Sequence, residues 1–314
     1  MNNKKIQIDD ILQKDRPNSK PSTIKQYSIQ LNQLRKMFNS ENYEFLKNPN
    51  EVVEKLQDKH FTTQRNFYNS IILLLLALDE PKELIDEYTE LRDELNEKYS
   101  DSQTEKISDK QKKNFATMEE IDKMLNEMLK EIKTKKLKSK GNLNGKEKEL
   151  MMMYCIFNML KFIPTRNDLA GMKLTSPKQY PKQDKDFNYL VMSRDKMYYI
   201  LNNYKTNKTY GNDKRIDVPI ELSKIIRVYI RATGKKSGDT LFTTSTGNPI
   251  SRNVLSQMLL KTSKKYIGKS VSTTLMRKIV VSDKFGELKK EQEELALVMG
   301  HSVATQNAIY IKEK

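Results

Sequence analysis

The sequence predicts a mainly α-helical protein with one small antiparallel β-sheet. Apolar residues recur at spacings of three and four through long stretches of the 314 residues, which is the pattern of a helix with one buried face. Short runs rich in Tyr, Val and Ile lie between residues 189 and 218, and such runs are typical of strands. Hydrophobic residues make up 37% of the chain and charged residues 31%, which allows a folded core under a highly charged surface.

The first hundred residues predict a flexible arm followed by a small helical domain over residues 21–98. Residues 1–20 are polar and have no period, so we expect a flexible arm there. A helix is expected over Thr23–Phe38, because five apolar residues follow one another at spacings of 3, 4, 3 and 4. The other helices expected in this domain lie near Glu51–Gln57, from Thr62 through the apolar run Ile71–Leu78, and after Pro81.

Residues 99–114 are nearly free of apolar side chains and predict a linker, so we expect a second domain over residues 115–314. This domain should begin with helices over Thr117–Lys133 and, strongly apolar, over Glu149–Phe162, on either side of a lysine-rich loop. The expected strands are Tyr189–Met192, Met197–Asn203 and Arg215–Val218, the last two joined across a turn at Tyr210–Asp213. Helices should fill most of residues 219–314.

The charge of the chain is large and unevenly distributed. Residues 1–100 hold 15 Lys and Arg against 17 Asp and Glu, a net charge of −2, whereas the rest of the chain holds 42 against 24, a net charge of +18. A field of this sign favours a polyanion, and nucleic acid is the first candidate. The alternative is a lysine-rich coding bias, since 46 of the 57 basic residues are lysine. That bias also suggests an AT-rich genome, which would suit a virus or a mobile element.

Several classes of protein are disfavoured by composition. Cys155 is the only cysteine, which rules out a disulfide framework or a cysteine-rich zinc site. The two histidines, His60 and His301, make a histidine-based metal site unlikely as well, so we expect no metal and no cofactor. The N-terminal residues have no apolar signal segment, and the longest apolar run has eight residues, too short to cross a bilayer. We therefore expect an intracellular protein, in cytoplasm, nucleus or viral factory, that is neither secreted nor membrane-bound.

Four segments of the second domain carry residues suited to chemistry on a phosphate. Arg166 follows the apolar helix at a break marked by Pro164, and its guanidinium needs an anionic partner, either Asp168 or a phosphate that it binds with two parallel hydrogen bonds. Lys205 lies at the tip of the predicted hairpin, where it could solvate a turn or protonate a departing oxygen. The remaining candidates are Arg277, which follows two apolar residues, and the histidine of Gly300-His301, with Tyr310 nine residues further on.

In this order the four segments resemble the tyrosine recombinases, the phage-integrase-like enzymes that break and join DNA. That family has an arginine after an apolar helix, a hairpin lysine, a His-x-x-Arg, a Gly-His and a tyrosine nine residues later. The positions that match are Arg166, Lys205, Arg277, His301 and Tyr310. Leu241-Phe242 and Gly247–Ser251 also resemble the segment before the His-x-x-Arg, and Thr23–Phe38 resembles the start of the helical core-binding domain. The resemblance covers roughly residues 20 to 314, and residues 160–310 carry its specific part.

The chain departs from the family pattern at three places. Thr274 occupies the position of the histidine in His-x-x-Arg, and a hydroxyl is a poor general base at neutral pH. The acidic residue after Arg166 comes one position early, at Asp168, so the local turn is expected to differ. Four residues follow Tyr310, whereas many relatives dock a longer tail on a neighbouring subunit, so assembly is expected to be weaker or differently arranged.

The resemblance implies a site-specific recombinase or integrase that needs neither metal nor ATP. Tyr310 would attack a DNA phosphate to give a 3′-phosphotyrosyl link, Arg166 and Arg277 would neutralise charge, and Lys205 would protonate the leaving oxygen. His301 would hydrogen-bond the phosphate, and Thr274 would supply a weaker contact. Two domains would close around double-stranded DNA, with a homo-tetramer on two duplexes. The alternatives are DNA relaxation of the type IB topoisomerase kind and a non-catalytic DNA-binding relative.

Overall fold

The computed structural model describes residues 8–102 and 109–310, and the chain divides into two compact units, Met1–Ile107 and Ser108–Lys314. The first seven residues of the predicted arm, residues 103–108 of the predicted linker and the four residues after Tyr310 lie outside the described part. Within that part, no helix combines the length and the apolar character needed to cross a membrane.

The first unit is a helical bundle, and most of its α-helices lie where the sequence pattern predicts them. Its α-helices are α1 (Ile8–Asp15), α2 (Pro21–Met37), α3 (Pro49–Leu56), α4 (Phe61–Ala77) and α5 (Lys82–Ser102). The second half of α4 is an apolar run, and its residues 71–75 are all buried because α4 packs against both α2 and α5. The Tyr88 hydroxyl of α5 donates to the Leu46 carbonyl at 2.9 Å, which satisfies a polar group inside this core.

The prediction of a flexible arm over residues 1–20 is wrong for Ile8–Asp15, which forms α1. Ile8 and Leu12 are buried in the core of the first unit, at 6% and 2% exposure. Two apolar residues four apart suffice to anchor a two-turn helix when a neighbouring bundle covers them, although eight residues give too short a window for the period to stand out. The predicted linker is likewise shorter than expected, since α5 continues to Ser102 and α6 occupies Asp109–Lys112.

The second unit is built on two helices that carry the same N-terminal signal. In α7 (Met118–Thr134) and α8 (Gly145–Phe162) the capping residues Thr117 and Asn144 each accept from the backbone of a glutamate three residues later, whose side chain accepts in return. Such a capping box satisfies two of the free N–H groups at a helix start. Most of α8 is buried, from Met151 to Leu160, and α7, α10 (Ile220–Thr233) and α12 (Thr273–Val298) pack around it.

One sheet of four strands lies in the second unit, in the order β1 (Lys173–Thr175), β2 (Tyr189–Met192), β3 (Met197–Leu201) and β4 (Lys214–Asp217). The predicted antiparallel pairing of β2, β3 and β4 is confirmed. Strand β1 was not predicted; it pairs parallel to β2, which makes the sheet mixed rather than wholly antiparallel. Three residues are too few to show alternation, so this strand has no signal of its own in the sequence.

The remaining helices confirm the prediction for residues 219–314. After the short helix α9 (Asn207–Tyr210) inside the β3–β4 connection come α10 (Ile220–Thr233), α11 (Arg252–Ile267), α12 (Thr273–Val298) and α13 (Val303–Thr305). A π-helical turn over Gln306–Tyr310 follows α13. The serines before α11, α12 and α13 each accept a hydrogen bond from the backbone inside the helix, which fixes where each helix begins.

Candidate active site

The carboxylate of Asp168 is the centre of a cluster of arginines. Asp168 lies in a short 3-10 turn, Asn167–Leu169, directly after α8, and its side chain is 9% exposed. The backbone N–H of Arg166 donates to it, Arg252 Nη2 lies 3.9 Å from its Oδ1, and the charges of Arg166 and Arg277 act on it as well. One guanidinium group at ion-pair distance and two more whose charges reach the carboxylate give this cluster a net positive charge, which suits a phosphate.

Burial raises the pKa of Asp168 above its ordinary value, because a carboxylate loses solvation in the interior. The positive charges of Arg252, Arg166 and Arg277 oppose this rise, in that order of size. The arginines therefore offset part of the cost of burying this carboxylate, and the effect of burial remains the larger one.

The three arginines come from three separate places in the sequence. Arg166 precedes the 3-10 turn, Arg252 is the first residue of α11, and Arg277 lies in the second turn of α12. The amide of Asn167 donates to the Arg252 carbonyl at 3.3 Å and to Ser256 Oγ at 2.8 Å. These two bonds fix the 3-10 turn against the start of α11. They therefore hold the backbone next to Arg166 close to the backbone of Arg252.

Arg166 is exposed, although it follows the apolar helix α8 closely. The ion pair of Asp168 is formed by Arg252, and Arg166 contributes its backbone N–H and its charge. Arg277 is partly buried, as its apolar neighbours predict. Thr274 is exposed and precedes Arg277 by three residues on α12, so the two side chains share one face of that helix.

Lys205 lies in the connection between β3 and β4, as predicted, and its side chain is exposed. The connection is more structured than a simple hairpin tip, because α9 occupies Asn207–Tyr210 and the turn follows it, with Gly211 at φ 76°. A second lysine, Lys208, lies within α9. Lys208 is therefore a second candidate, beside Lys205, for the lysine that protonates a departing oxygen.

A buried asparagine joins this connection to the arginine turn. The Asn188 side chain is 4% exposed, and its Nδ2 donates to the carbonyl of Asp168 at 2.9 Å and to that of Asn203 at 3.1 Å. Its Oδ1 accepts from the backbone N–H groups of Asn202, at 2.9 Å, and Asn203, at 2.8 Å. One side chain thus satisfies four backbone groups from two segments, and it connects the turn after Arg166 to the segment before Lys205.

The side chains of His301 and Tyr310 are in contact. Their rings are stacked, with centroids 5.1 Å apart and planes inclined by 15°. The chain reverses at Gly300, at φ 73°, a conformation that glycine adopts without strain. Ser302 then begins α13 by accepting from the Thr305 N–H at 3.1 Å, and the helical residues that follow bring Tyr310 back to His301. The tyrosine is 56% exposed and therefore open to a large substrate.

The hydrogen bonds of His301 fix its tautomer. Its Nδ1 lies 3.1 Å from the Ser302 carbonyl oxygen, and because a carbonyl can only accept, Nδ1 carries a proton. Nε2 is buried and has no hydrogen-bond partner in the described part of the structure. In the neutral ring Nε2 is a hydrogen-bond acceptor, and it lies next to the Tyr310 ring. Buried polar groups without a partner are uncommon in proteins, so this nitrogen is a candidate to bind a ligand.

The structure thus brings the six predicted residues into two groups. Arg166, Arg277 and, on the face of Arg277, Thr274 belong to the cluster around Asp168, and the Lys205 connection is tied to it through Asn188. The second group is the pair His301 and Tyr310. Across residues 8–102 and 109–310, no hydrogen bond, ion pair or ring contact is found that joins this pair to the arginine cluster.

Two residues of the site were not predicted from the sequence. Arg252 follows the quoted segment Gly247–Ser251 directly, and a serine cap followed by an arginine at a helix start could have drawn attention to it. Asn188 had no signal, because its partners lie 14 to 20 residues away in sequence. Such contacts exist only once the turn and the hairpin have come together.

Comparison with known proteins gives matches in structure and none in sequence. No protein-family model matches the chain, and no curated protein matches it. The structure is similar to that of the Tn1549 transposon integrase in complex with transposon right end DNA, with a TM-score of 0.55 and 14% identity over 98% of this chain and 95% of that chain. It is also similar to the XerH site-specific recombinase bound to its difH substrate, with a TM-score of 0.51 and 13% identity over 98% and 84% of the two chains.

Both of these proteins are tyrosine recombinases, and at such low identity their likeness speaks for the fold alone. The mainly helical architecture with a small sheet agrees with the fold class predicted from the sequence. Each match covers nearly the whole of this chain, so the likeness is not limited to one unit. The chain therefore has the fold of the tyrosine recombinases.

Proposed function

We propose that the protein is a site-specific DNA recombinase or integrase that cleaves and rejoins DNA through a 3′-phosphotyrosyl intermediate. The observation that carries this proposal is the concentration of positive charge at Asp168, where Arg252 forms the ion pair and the charges of Arg166 and Arg277 also reach the carboxylate. Structural ion pairs seldom need three arginines for one acid, whereas a phosphate with two non-bridging oxygens can use several guanidinium groups at once. The DNA-bound proteins of the same fold support DNA as the source of that phosphate.

In the proposed reaction the Tyr310 oxygen forms a bond to the phosphorus of a DNA backbone phosphate. The bond from phosphorus to the 5′-oxygen breaks, and a 5′-hydroxyl end is released. A 5′-hydroxyl from a second duplex then attacks the phosphotyrosyl link and restores the tyrosine. The number of phosphoester bonds is unchanged at each step, so the reaction needs no ATP.

His301 is suited to accept the proton of the attacking tyrosine. Its Nδ1–H is directed to the Ser302 carbonyl, which leaves the buried Nε2 as an acceptor beside the Tyr310 ring. Once protonated, Nε2 would donate to a non-bridging oxygen of the same phosphate. This sequence of roles would compensate for Thr274, whose hydroxyl can contribute a hydrogen bond but cannot serve as a base at neutral pH.

The remaining residues would act on the charge and on the leaving group. Arg166 and Arg277 would bind the non-bridging oxygens, where negative charge gathers in the transition state, and one preorganised donor of this kind is worth roughly 2.7–4 kcal/mol. The Lys205 ammonium would give its proton to the departing 5′-oxygen. Each of these side chains is exposed or half-buried, as contact with a DNA backbone requires.

We further propose that the protein acts as a homo-tetramer on two duplexes. Supporting self-association, α12 exposes several large apolar residues, four of which recur at spacings of four, three and seven, namely Val281, Phe285, Leu288 and Leu295. Exposed apolar residues on one helix face are typical of a protein contact surface. Replacing Phe285 and Leu288 with glutamate should reduce the mass of the DNA-bound assembly in sedimentation, with Val254→Glu, on another exposed apolar position, as the control.

The proposal is tested with supercoiled plasmid libraries that carry candidate target sequences. A recombinase should yield joined products from two duplexes, with a 5′-hydroxyl end at each cleavage and with the tyrosine on the 3′ side. Relaxation of the plasmid without any product of strand exchange would instead identify a topoisomerase-like activity. Tight binding without cleavage of any library member, and without covalent adducts, would identify a non-catalytic DNA-binding protein.

A further inference from the structure

Arg252 contacts both of the segments that carry predicted catalytic residues. Its Nη2 donates to the carbonyl of Asn203 at 2.9 Å and lies 3.4 Å from the Asn203 side-chain oxygen. The same nitrogen lies 3.9 Å from the carboxylate of Asp168. Asn203 precedes Lys205 by two residues, and Asp168 follows Arg166 by two residues. One guanidinium group therefore links the backbone before Lys205 with the turn after Arg166.

Lys205 depends on its backbone for its position. Its side chain is exposed, and in the described part of the chain no hydrogen bond or ion pair is found that holds its ammonium in place. The segment that carries it is fastened at Asn203 from two sides, by Asn188 from the sheet and by Arg252 from α11. Asn188 is buried, whereas the Arg252 side chain is 53% exposed. Arg252 therefore holds Asn203 from the solvent side, and Asn188 holds it from the interior.

We propose that Arg252 is a positioning residue for the reaction: it holds the segment that carries Lys205 against the turn that carries Arg166, so that the ammonium of Lys205 reaches the leaving 5′-oxygen. This inference rests on the proposed function and deepens it. Arg252 acts through Lys205 on the leaving group, in contrast to Arg166 and Arg277, which act on the non-bridging oxygens. The two kinds of role respond differently to a change in the leaving group.

A DNA substrate with sulfur in place of the bridging 5′-oxygen separates these roles. A thiolate leaves without protonation, because its conjugate acid is far stronger than that of an alkoxide. Loss of the general acid should therefore slow cleavage of the oxygen substrate and spare the sulfur substrate. Loss of an arginine that binds non-bridging oxygens should slow both. The duplex would carry the cleavage site of the wild-type protein, mapped by sequencing the DNA that becomes covalently attached to it.

The variants to compare are Arg252→Ala, Arg252→Lys, Lys205→Ala and a matched control, Arg227→Ala. Arg227 also extends from a helix to clamp a hairpin, donating to the carbonyls of Ser193 at 2.7 Å and Arg194 at 3.0 Å. That hairpin joins β2 to β3 and carries none of the proposed site residues. The control therefore measures the general cost of losing an arginine that binds a loop. Thermal unfolding of each variant establishes that it is folded.

We expect Lys205→Ala to slow cleavage of the oxygen substrate by about 10²- to 10⁴-fold, the usual contribution of a general acid. Arg252→Ala should slow it by a smaller factor, about 10- to 100-fold, since the lysine is still present. On the sulfur substrate both variants should cleave within a few-fold of the wild type. Arg252→Lys should retain part of the activity, because an ammonium can still donate to the Asn203 carbonyl, and Arg227→Ala should retain all of it.

Hydrogen exchange provides a second measurement that needs no DNA. In Arg252→Ala the amides of residues 203–206 should exchange faster than in the wild type, whereas Arg227→Ala should leave them unchanged. Equal loss of cleavage on the oxygen and sulfur substrates, or unchanged exchange of these amides, would overturn the proposed role of Arg252. Failure of the wild-type protein to attach to any DNA would overturn the proposed function itself, and with it the catalytic part of this inference.

Discussion

Replacing Asn188, which directly precedes β2, with alanine is expected to destabilise the second unit more than truncation of Asn158, a buried asparagine that bonds within one helix. The side chain makes four hydrogen bonds to backbone groups, at distances of 2.8 to 3.1 Å, and it is 4% exposed. Alanine would remove all four and leave two carbonyls and two N–H groups to find other partners. Water could reach some of them, because Asn203 itself is exposed.

The size of the effect follows from these bonds. Each buried hydrogen bond contributes roughly 0.5–1.5 kcal/mol to the free energy of unfolding, so four of them give about 2–6 kcal/mol. Access of water to the Asn203 end favours the lower part of that range, about 2–3 kcal/mol. In a unit of about 200 residues, 1 kcal/mol lowers the Tm by roughly 2–4 °C. The expected decrease is therefore about 4–12 °C.

Thermal unfolding of Asn188→Ala beside Asn158→Ala measures this effect. Asn158 is similarly buried, at 6% exposure, but its amide donates to the Tyr154 carbonyl within the same helix, at 2.7 Å. Its truncation should lower the Tm by about 1–6 °C, the effect of roughly one hydrogen bond. Equal decreases in the two variants would refute the reasoning that Asn188 joins two segments, and so would a decrease of less than about 2 °C for Asn188→Ala.

The other predictions concern charge and catalysis. Burial raises the pKa of Asp168 in the folded protein, so the folded state binds the proton of this carboxyl group more tightly than the unfolded state does. The resulting contribution to the free energy of unfolding is complete below the unfolded pKa of about 3.9 and is lost as the pH rises through the folded pKa. Asp168→Asn should therefore unfold at a higher temperature than the wild type at pH 7, with the difference shrinking towards pH 4, and a constant difference would contradict this account. Thr274→His should cleave DNA at least as fast as the wild type in single-turnover assays, and a large loss in a well-folded variant would show that the site is built around the smaller residue. Arg277→Ala should lower the cleavage rate by about 10²–10³-fold while DNA affinity in a filter-binding assay changes only a few-fold. Affinity for a non-specific duplex should fall steeply between low and moderate salt, since backbone phosphates release counterions when bound.

The fold could be predicted from the sequence wherever an element is long enough to show its period. Helix α2 and the apolar α8 are recognisable because their buried faces repeat over four or more turns, and strands β2 and β3 because both consist largely of Tyr, Val, Leu and Ile. Helix α1 has eight residues and β1 has three. Elements of this size are stabilised by the neighbours that cover them, and a local pattern does not contain that information.

The site could be predicted in its order along the chain but not in its internal contacts. His301 and Tyr310 are nine residues apart, and the helical structure between them determines their meeting. The association of Arg166, Arg252 and Arg277 depends on packing between α8, α11 and α12 over more than a hundred residues of sequence. Of the two partners that the sequence leaves open for Arg166, Asp168 or a phosphate, Asp168 forms its ion pair with Arg252 from another helix, and a local pattern does not contain that contact.

The most direct test of the proposed chemistry is covalent trapping of labelled DNA on the purified protein. Radiolabelled genomic or plasmid DNA is incubated with the wild type and with Tyr310→Phe, the reaction is quenched in detergent, and the protein band is examined for label. We expect a labelled band for the wild type and none for the phenylalanine variant, with equal DNA binding by both. A labelled band of equal strength in the variant would contradict the assignment of Tyr310 as the nucleophile. No band from the wild type, on nicked DNA that prevents religation and with Thr274→His tested in parallel, would contradict a phosphotyrosyl mechanism for this protein.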